Sequence, residues 1–296
     1  MSLGTFKGGA HPYEGKVLSE NCAIEALSFD GEYVFPLSQH IGAPAKPCVK
    51  VGDTVLAGQI IGESGGFISA NVLSSVSGTV TAIEPRMQVS GFPVMSIVVE
   101  SDGKYELVEG AGKKRDIDTL SNDEIREAVK ASGIVGLGGA GFPTSVKLMP
   151  KNDAAIDYFI ANGSECEPYL TSDYRLMMEE GEKIVGGVKV CLRLFPNAQG
   201  IIAIEDNKPE AIKHMKGLVK SEPRIKVMEL KTKYPEGGER QLINAVTGRY
   251  INSSMLPADA GCIVHNVATL LAIYEAVAEG KPLMEKVITV TGDAMA

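Results

Sequence analysis

Between residues 30 and 105 short apolar runs alternate with turn residues. Cys48–Val55, Gln59–Gly62, Thr79–Ile83 and Met95–Glu100 are rich in Val and Ile and are bounded by Gly, Pro, Asp or Ser, the pattern of short strands. Val51-Gly52-Asp53 and Ser77-Gly78-Thr79 fall where such strands must reverse. The spacing predicts an all-β barrel-sandwich domain over 30–105, preceded by an extension over 1–29. Residues 103–120 are polar and charged, and 106–120 read as a linker.

From residue 121 the period changes. Ser121-Asn122-Asp123-Glu124 is a capping box, in which serine and glutamate satisfy the orphan N–H groups of a helix start, and a helix to about Ala131 follows. Strands are then predicted at Ala154–Ala161, Gly200–Glu205 and Ile225–Leu230. Helices are predicted at Tyr174–Phe195, Pro209–Lys220, Arg240–Val246 and Val267–Ala278, with Cys262–Ala278 reading as buried helix. Strands separated by helices imply βαβ units, hence an α/β domain with a mainly parallel sheet over 121–285. A last strand, Lys286–Thr291, reads as the start of a further domain over 286–296, so the chain is expected to be the front of a longer one.

Charge and composition narrow the function. The formal net charge is −8 and no basic run is longer than Lys113-Lys114-Arg115, which argues against nucleic-acid binding. No apolar stretch reaches the roughly 20 residues of a membrane span and no apolar leader is visible, so no direct membrane insertion is expected. The cysteines, Cys22, Cys48, Cys166, Cys191 and Cys262, lack zinc or iron–sulfur spacing; reduced thiols and no metal site are expected. Glycine, 33 of 296 residues, exceeds the usual ~7% and suggests backbone brought close to something other than side chain.

Five of the nine residues from Gly133 to Gly141 are glycine. Such a loop can aim N–H groups at an anion or let a flat ring lie on the backbone, and Pro143-Thr144 suit the first turn of a helix behind it. The alternative is a flexible turn between helices. Asn162-Gly163-Ser164-Glu165-Cys166-Glu167 follows a strand, where parallel sheets bind ligands; a solvated acidic loop is the plainer reading. Cys166, between acids, is unsuited to be a nucleophile. Tyr234-Pro235-Glu236-Gly237-Gly238-Glu239 is a second glycine–acid turn after a strand. His265-Asn266-Val267-Ala268-Thr269 opens the last helix and alone reads as a cap.

Taken together, GLGGAGFPTSVKL (136–148), NGSECEPYL (162–170), YPEGGERQL (234–242) and HNVAT (265–269) resemble the flavin and NADH-binding domain shared by the complex I flavoprotein subunit and the RnfC protein of the Rnf electron transport complexes. FKGGAHP (6–12) and PLSQHIGAPAKPCVKVGD (36–53) resemble the RnfC family specifically. PCVKVGDTVLAGQIIGE and SSVSGTVTAIE are similar to biotinyl/lipoyl-like sandwiches. No lysine lies between Gln59 and Pro85, so a swinging-arm carrier role does not transfer.

The resemblance implies cofactors FMN and NADH and no catalytic acid or base: hydride passes from NADH to the flavin, and electrons leave singly through iron–sulfur clusters. Gly136, Gly138, Gly139 and Gly141 would pack on FMN, with Lys147 near its phosphate and Phe142 on the adenine side of NADH. Asn162, Ser164 and Glu165 would hold the flavin, with Glu165 and Glu167 near the nicotinamide nucleotide. Tyr234, Gly237 and Glu239 would flank flavin and NADH, and Asn266 and Thr269 would bind the phosphate end. Relative to the complex I flavoprotein, Ser164 replaces an aspartate, Cys166 a serine, Gly238 an acid and His265 an asparagine. Two 4Fe-4S clusters would belong to a region beyond this chain. The implied partners are other Rnf subunits and ferredoxin or a ferredoxin-like subunit, at the cytoplasmic side of the bacterial inner membrane, with ion translocation by the whole complex. An RnfC-like soluble reductase (a cobalamin or proline-reductase partner) and a non-catalytic docking scaffold are the alternatives.

Overall fold

Among the described residues up to Ser101 seven strands follow one another: β1 (Glu32–Pro36), β2 (Lys46–Pro47), β3 (Thr54–Val55), β4 (Ile60–Glu63), β5 (Val72–Leu73), β6 (Gly78–Met87) and β7 (Pro93–Ser101). They form two antiparallel sheets, ordered β1-β7-β6-β3 and β2-β4-β5. Phe35, Leu37, Val55, Ile61, Val72, Val80, Ile97 and Val99 meet in one buried cluster. This is the expected barrel-sandwich. Of the predicted run Cys48–Val55 only Thr54–Val55 is strand, because the chain reverses at Val51-Gly52, where Asp53 N–H donates to Lys50 O at 3.1 Å.

The computed structural model describes residues 3–27, 29 and 31–292, and two units divide the chain. The sandwich unit comprises 26–148 and 272–286. It includes α1 (Asn122–Ala131) and the single turn α2 (Thr144–Lys147). In α1 Ser121 Oγ accepts from Glu124 N–H at 3.3 Å and the Glu124 carboxylate accepts from Ser121 N–H at 2.8 Å. The helix buries Ile125 and Val129. Ser121→Ala removes one half of this reciprocal cap, with an expected loss of about 1 kcal/mol, measurable by urea unfolding.

The α/β unit comprises residues up to 25, 149–271, and 287 onward. Its sheet contains β8 (Tyr158–Gly163), β9 (Gln199–Glu205), β10 (Ile225–Leu230) and β11 (Cys262–Asn266), all parallel, in the order β10-β9-β8-β11. The helices are α3 (Ser172–Glu179), α4 (Gly181–Leu194), α5 (Pro209–Leu218), α6 (Glu239–Thr247) and the first residues, to Leu271, of α7 (Val267–Ala278). Phe159, Ile160, Ile202, Ile204 and Val264 are buried in the sheet. β8 leads to β9 on one side and β11 returns on the other, so the strand order reverses at β8. The carboxyl ends at such a reversal form the crevice where doubly wound sheets take ligands.

Residues 3–10 strap the far edge of this sheet. Gly4 N–H donates to Glu229 O at 3.0 Å and Gly4 O accepts from Lys231 N–H at 2.9 Å, while Ala10 and Tyr234 exchange two 2.8 Å bonds. The edge strand β10 is thereby covered, which removes a template for unwanted pairing.

Further elements depart from the sequence reading. The predicted strand Ala154–Ala161 starts late: Asp153–Ala155 is a 3-10 turn and β8 begins at Tyr158. The predicted helix Tyr174–Phe195 divides into α3 and α4 at Glu180. Cys262–Asn266 is a strand rather than helix: its residues pair with β8 in register from Cys262↔Tyr158 to Asn266↔Asn162, and a short apolar run does not by itself distinguish a buried strand from a buried helix. Residues 286–291 hold no strand, since an extended segment becomes a strand only with a hydrogen-bonded neighbour; Asp293 and the residues after it lie outside the described ones. Among the described residues no helix is long and apolar enough to cross a membrane.

Candidate functional site

In the α/β unit the carboxyl ends of β8 and β11 and the turn after β10 converge. Asn162 anchors the convergence: its Oδ1 accepts from Ser164 N–H at 3.2 Å and its Nδ2 donates to Gly237 O at 2.9 Å. Gly237 N–H in turn donates to Cys166 Sγ at 3.2 Å. The 234–238 turn is therefore tied to Asn162 and to the 164–170 loop by bonds between side chain and main chain. A Cβ on Gly237 would lie 3.2 Å from that sulfur, which leaves glycine the natural residue at this approach.

Asn266 ends β11 in register with Asn162. Its Nδ2 donates to Asp173 Oδ2 at 2.7 Å and its Oδ1 accepts from Ala268 N–H at 2.9 Å, capping α7. Thr269 is buried one turn later, and buried His265 stacks on Phe159 at 5.8 Å. Glu165 adopts a left-handed backbone, φ 49°. Its carboxylate accepts from Asp173 N–H at 2.7 Å and Tyr174 N–H at 3.3 Å. Burial, with Asp173 adding to it, pushes its pKa up to about 8 against the pull of Lys16 and Lys208. Glu167 is exposed, and its charge raises the pKa of the Tyr234 phenol beside it. Glu239 opens α6.

Beneath these residues is a buried charged layer that sequence reasoning missed. Lys208 Nζ donates to Ser164 O at 2.6 Å, to Asn207 Oδ1 at 2.8 Å and to Glu205 Oε2 at 3.4 Å. Lys233 lies over the Phe6 ring at 3.9 Å. Its Nζ donates to the carbonyls of Phe6 and Gly8, and its N–H donates to Glu205. Glu205 and Glu236 are fully buried. Burial raises the pKa of both, that of Glu236 to about 7, with Lys208 and Lys233 respectively opposing the rise. A signal existed: each lysine lies three residues past a strand's last residue, Glu205 or Leu230.

In the sandwich unit the glycine cluster forms a narrow loop. Its neck closes through Gly136 N–H to Phe142 O at 2.9 Å and Thr144 N–H to Ile134 O at 3.0 Å. It is held from outside by Ile41 N–H to Gly141 O at 3.2 Å. Gly138, Gly139 and Ala140 are exposed, Phe142 and Lys147 half-buried. No atom lies within 4 Å of where a Cβ on Gly139 would be. Gly136, Gly139 and Gly141 line a cavity of about 610 Å³ with Gln39 and His40. The helix expected behind the loop is the one turn α2, so its dipole is that of a single turn.

The structure thus gathers Asn162, Ser164, Glu165, Glu167, Tyr234, Gly237, Glu239, Asn266 and Thr269 at the carboxyl edge of one sheet. Gly136, Gly138, Gly139, Gly141, Phe142 and Lys147 stand on one loop and its following turn in the other unit. In the α/β unit Ser164 Oγ and both carboxyl oxygens of Glu236 are buried without a hydrogen-bond partner, and in the sandwich unit so is Thr144 Oγ1. Buried polar atoms in folded proteins are almost always paired, so orphans at a ligand-binding edge mark where a ligand or water completes the set. The open backbone around Gly139 supplies a surface against which a ring can lie.

Residues 4–104 match the family model of the RnfC barrel sandwich hybrid domain, and 129–275 that of the Nuo51 FMN-binding domain. The chain is 44% identical over 293 residues to the C subunit of the proton-translocating ferredoxin:NAD(+) oxidoreductase complex of Clostridium ljungdahlii, covering 99% of this chain and 64% of that one. It is 45% identical over 295 residues to the C subunit of the Na(+)-translocating ferredoxin:NAD(+) oxidoreductase complex of Acetobacterium woodii, covering 99% and 66%. A crystal structure of an NAD+-reducing [NiFe]-hydrogenase in the H2-reduced state is similar at 22% identity and a TM-score of 0.45, over 58% of this chain and 36% of that one. The chain spans about two thirds of the length of the two ferredoxin:NAD(+) oxidoreductase relatives. With both domains matched, and near-complete coverage of the chain by those relatives, the chain belongs to the RnfC family.

Proposed function

We propose that this chain is the FMN-binding, NADH-oxidising portion of a ferredoxin:NAD oxidoreductase subunit in an Rnf-type, ion-translocating complex. The observation that carries this reading is the coincidence of the Nuo51 FMN-binding match, 129–275, with the orphaned polar groups at the carboxyl edge of the parallel sheet. Bound FMN would supply a two-electron acceptor for NADH and a one-electron donor to iron–sulfur clusters outside this chain.

The chain's own residues bind and orient. In the α/β unit Asn266 and Thr269, at the first turn of α7, would meet the flavin phosphate; a helix start favours an anion. Asn162, Ser164 and Glu165 hold the ring system, with the unpaired Ser164 hydroxyl finding its partner there. Gly136, Gly138, Gly139 and Gly141 give backbone for close approach, and Phe142 stacks at the adenine end of NADH. Glu165, Glu167, Tyr234, Gly237 and Glu239 border the nicotinamide nucleotide. No residue acts as a catalytic acid or base. Partners would be the other subunits of the complex and ferredoxin or a ferredoxin-like subunit, with peripheral attachment at the cytoplasmic face of the membrane.

The test is direct. Titration of the 296-residue chain with FMN is expected to quench flavin fluorescence and raise the melting temperature, and NADH is expected to bleach the bound flavin under anaerobic conditions. Binding of neither FMN nor NADH at high concentration sinks the reading in favour of a docking scaffold. A flavin-active chain that exchanges electrons with a cobalamin or proline-reductase protein and not with ferredoxin redirects it to a soluble RnfC-like reductase.

A further inference from the structure

The N-terminal segment 13–24 lies along the 165–171 loop and α3, contacts that none of the site motifs uses. Lys16 is the centre. Its ammonium is buried, and it donates to three carbonyls of one loop: Glu165 O at 2.9 Å, Glu167 O at 3.1 Å and Leu170 O at 2.6 Å. An ammonium has three N–H donors, so the loop satisfies it completely.

The segment is shaped to deliver that lysine. Gly15 has φ 62°, and a Cβ there would lie 2.4 Å from Tyr169 Cε1. Glu14 O accepts from Tyr169 N–H at 2.7 Å, and Tyr13 meets the Tyr169 ring edge-on at 6.3 Å. Farther on, Ser19 Oγ and Thr171 Oγ1 share a hydrogen at 2.8 Å, and Arg175 Nη1 donates to Glu20 O at 3.2 Å. The clamped loop has two residues other than glycine in the left-handed region, Glu165 and Tyr169, a conformation that the surroundings must hold in place.

We propose that the segment 13–20 is a working part of the nucleotide site and that Lys16 is its positioning residue, fixing through three carbonyls the loop that presents Ser164, Glu165 and Glu167. The proposal rests on the FMN reading above. Lys16 acts on the site in two ways. It fixes the loop backbone, so that ligand binding need not order it. It also sets a positive charge beside the Glu165 carboxyl, whose other charged neighbours are Asp173 on α3 and Lys208 after β9. Buried charge-assisted bonds are stronger than neutral ones, which suits a clamp on a strained loop.

Lys16→Met keeps the aliphatic stem and removes the donors. The expected result is an FMN dissociation constant raised about tenfold or more, the loss of one charge-assisted bond's worth of order, with Lys16→Arg within about threefold of wild type. Amide hydrogen exchange without ligand is expected to speed up at 165–171 and not in β9 or α5. The pH profile of FMN binding is expected to move to higher pH in Lys16→Met, since Glu165 loses a charge that favours its ionised form; a structural role alone would not move it. Lys16→Gln, which retains two donors without charge, takes the place of Lys16→Met should that variant not fold. Wild-type affinity, exchange and pH profile in the uncharged variant overturn the proposal. A wild-type chain that binds no FMN overturns the FMN reading and this proposal together, so the two failures are told apart.

Discussion

Lys208→Met is expected to lower the unfolding free energy at neutral pH by about 3–5 kcal/mol, the usual cost of leaving one member of a buried ion pair alone. Lys208 and Glu205 are buried at 3% and 1% side-chain exposure, so no water takes the lysine's place without reorganisation. The lysine also holds Ser164 O and Asn207 Oδ1, and the substitution strands those acceptors. The groups facing Glu205 after the change are Lys233, through its N–H, and the charges of Lys16 and Glu236. Lys233 N–H, at 3.3 Å, is a neutral donor and does not replace the ammonium's charge.

The pH dependence fixes the cause. Glu205 already titrates above its ordinary range because it is buried, with Lys208 the largest opposing influence. A carboxyl whose folded pKa exceeds its unfolded value, about 4.3, costs stability wherever it must stay ionised and relieves that cost as it takes up a proton. Without Lys208 the folded pKa rises further. The deficit relative to wild type is therefore expected to be greatest at neutral and alkaline pH and to shrink as pH falls toward the unfolded value. Urea unfolding at several pH values reads this; a deficit independent of pH would mean that lost packing, not lost charge, carries the cost. Glu205→Gln in the same background is expected to restore part of the loss.

The two architectures were legible in the sequence because their signals are local. The capping box at Ser121, the proline that opens α5, and the span of β10 need only neighbouring residues to be read. β11 was illegible because Cys262–Asn266 takes its strand character from lying against β8, and its apolar run joins that of α7 without a turn residue between. The site divides along the same line. Asn162, Glu165, Tyr234, Gly237 and Asn266 fall on motifs that could be recognised as units. Lys16, Glu205, Lys208, Lys233 and Glu236 form a layer whose members come from separated segments, and only folding shows that they share a neighbourhood. One role changed with the structure. Glu165 reads in sequence as a ligand-facing acid, yet its carboxylate caps α3, so Glu165→Ala is expected to cost about 1 kcal/mol of stability besides any effect on ligand.

The second large effect concerns Gly187, in the middle of α4. A Cβ at this position would lie 2.1 Å from Leu270 O and 2.7 Å from Leu270 C, far inside van der Waals contact with main chain that has no rotamer to change. Glycine costs a helix interior about 1 kcal/mol relative to alanine, so alanine would be preferred here on propensity alone. The close approach of α4 to α7 outweighs that preference. Gly187→Ala is therefore expected to destabilise by about 3 kcal/mol or more, at the upper end of overpacking costs, although an exposed Gly→Ala in a helix normally stabilises. Relief requires α7 to move away, and its first turn carries Thr269, with Asn266 capping it. FMN affinity is expected to fall with stability, whereas Gly217→Ala in α5, where a Cβ meets nothing within 4 Å, is expected to leave both stability and affinity no worse than wild type. Thermal melts and FMN titrations on the two variants make the comparison. Equal behaviour of the two would mean that α4 and α7 are not in the backbone contact from which the effect is argued.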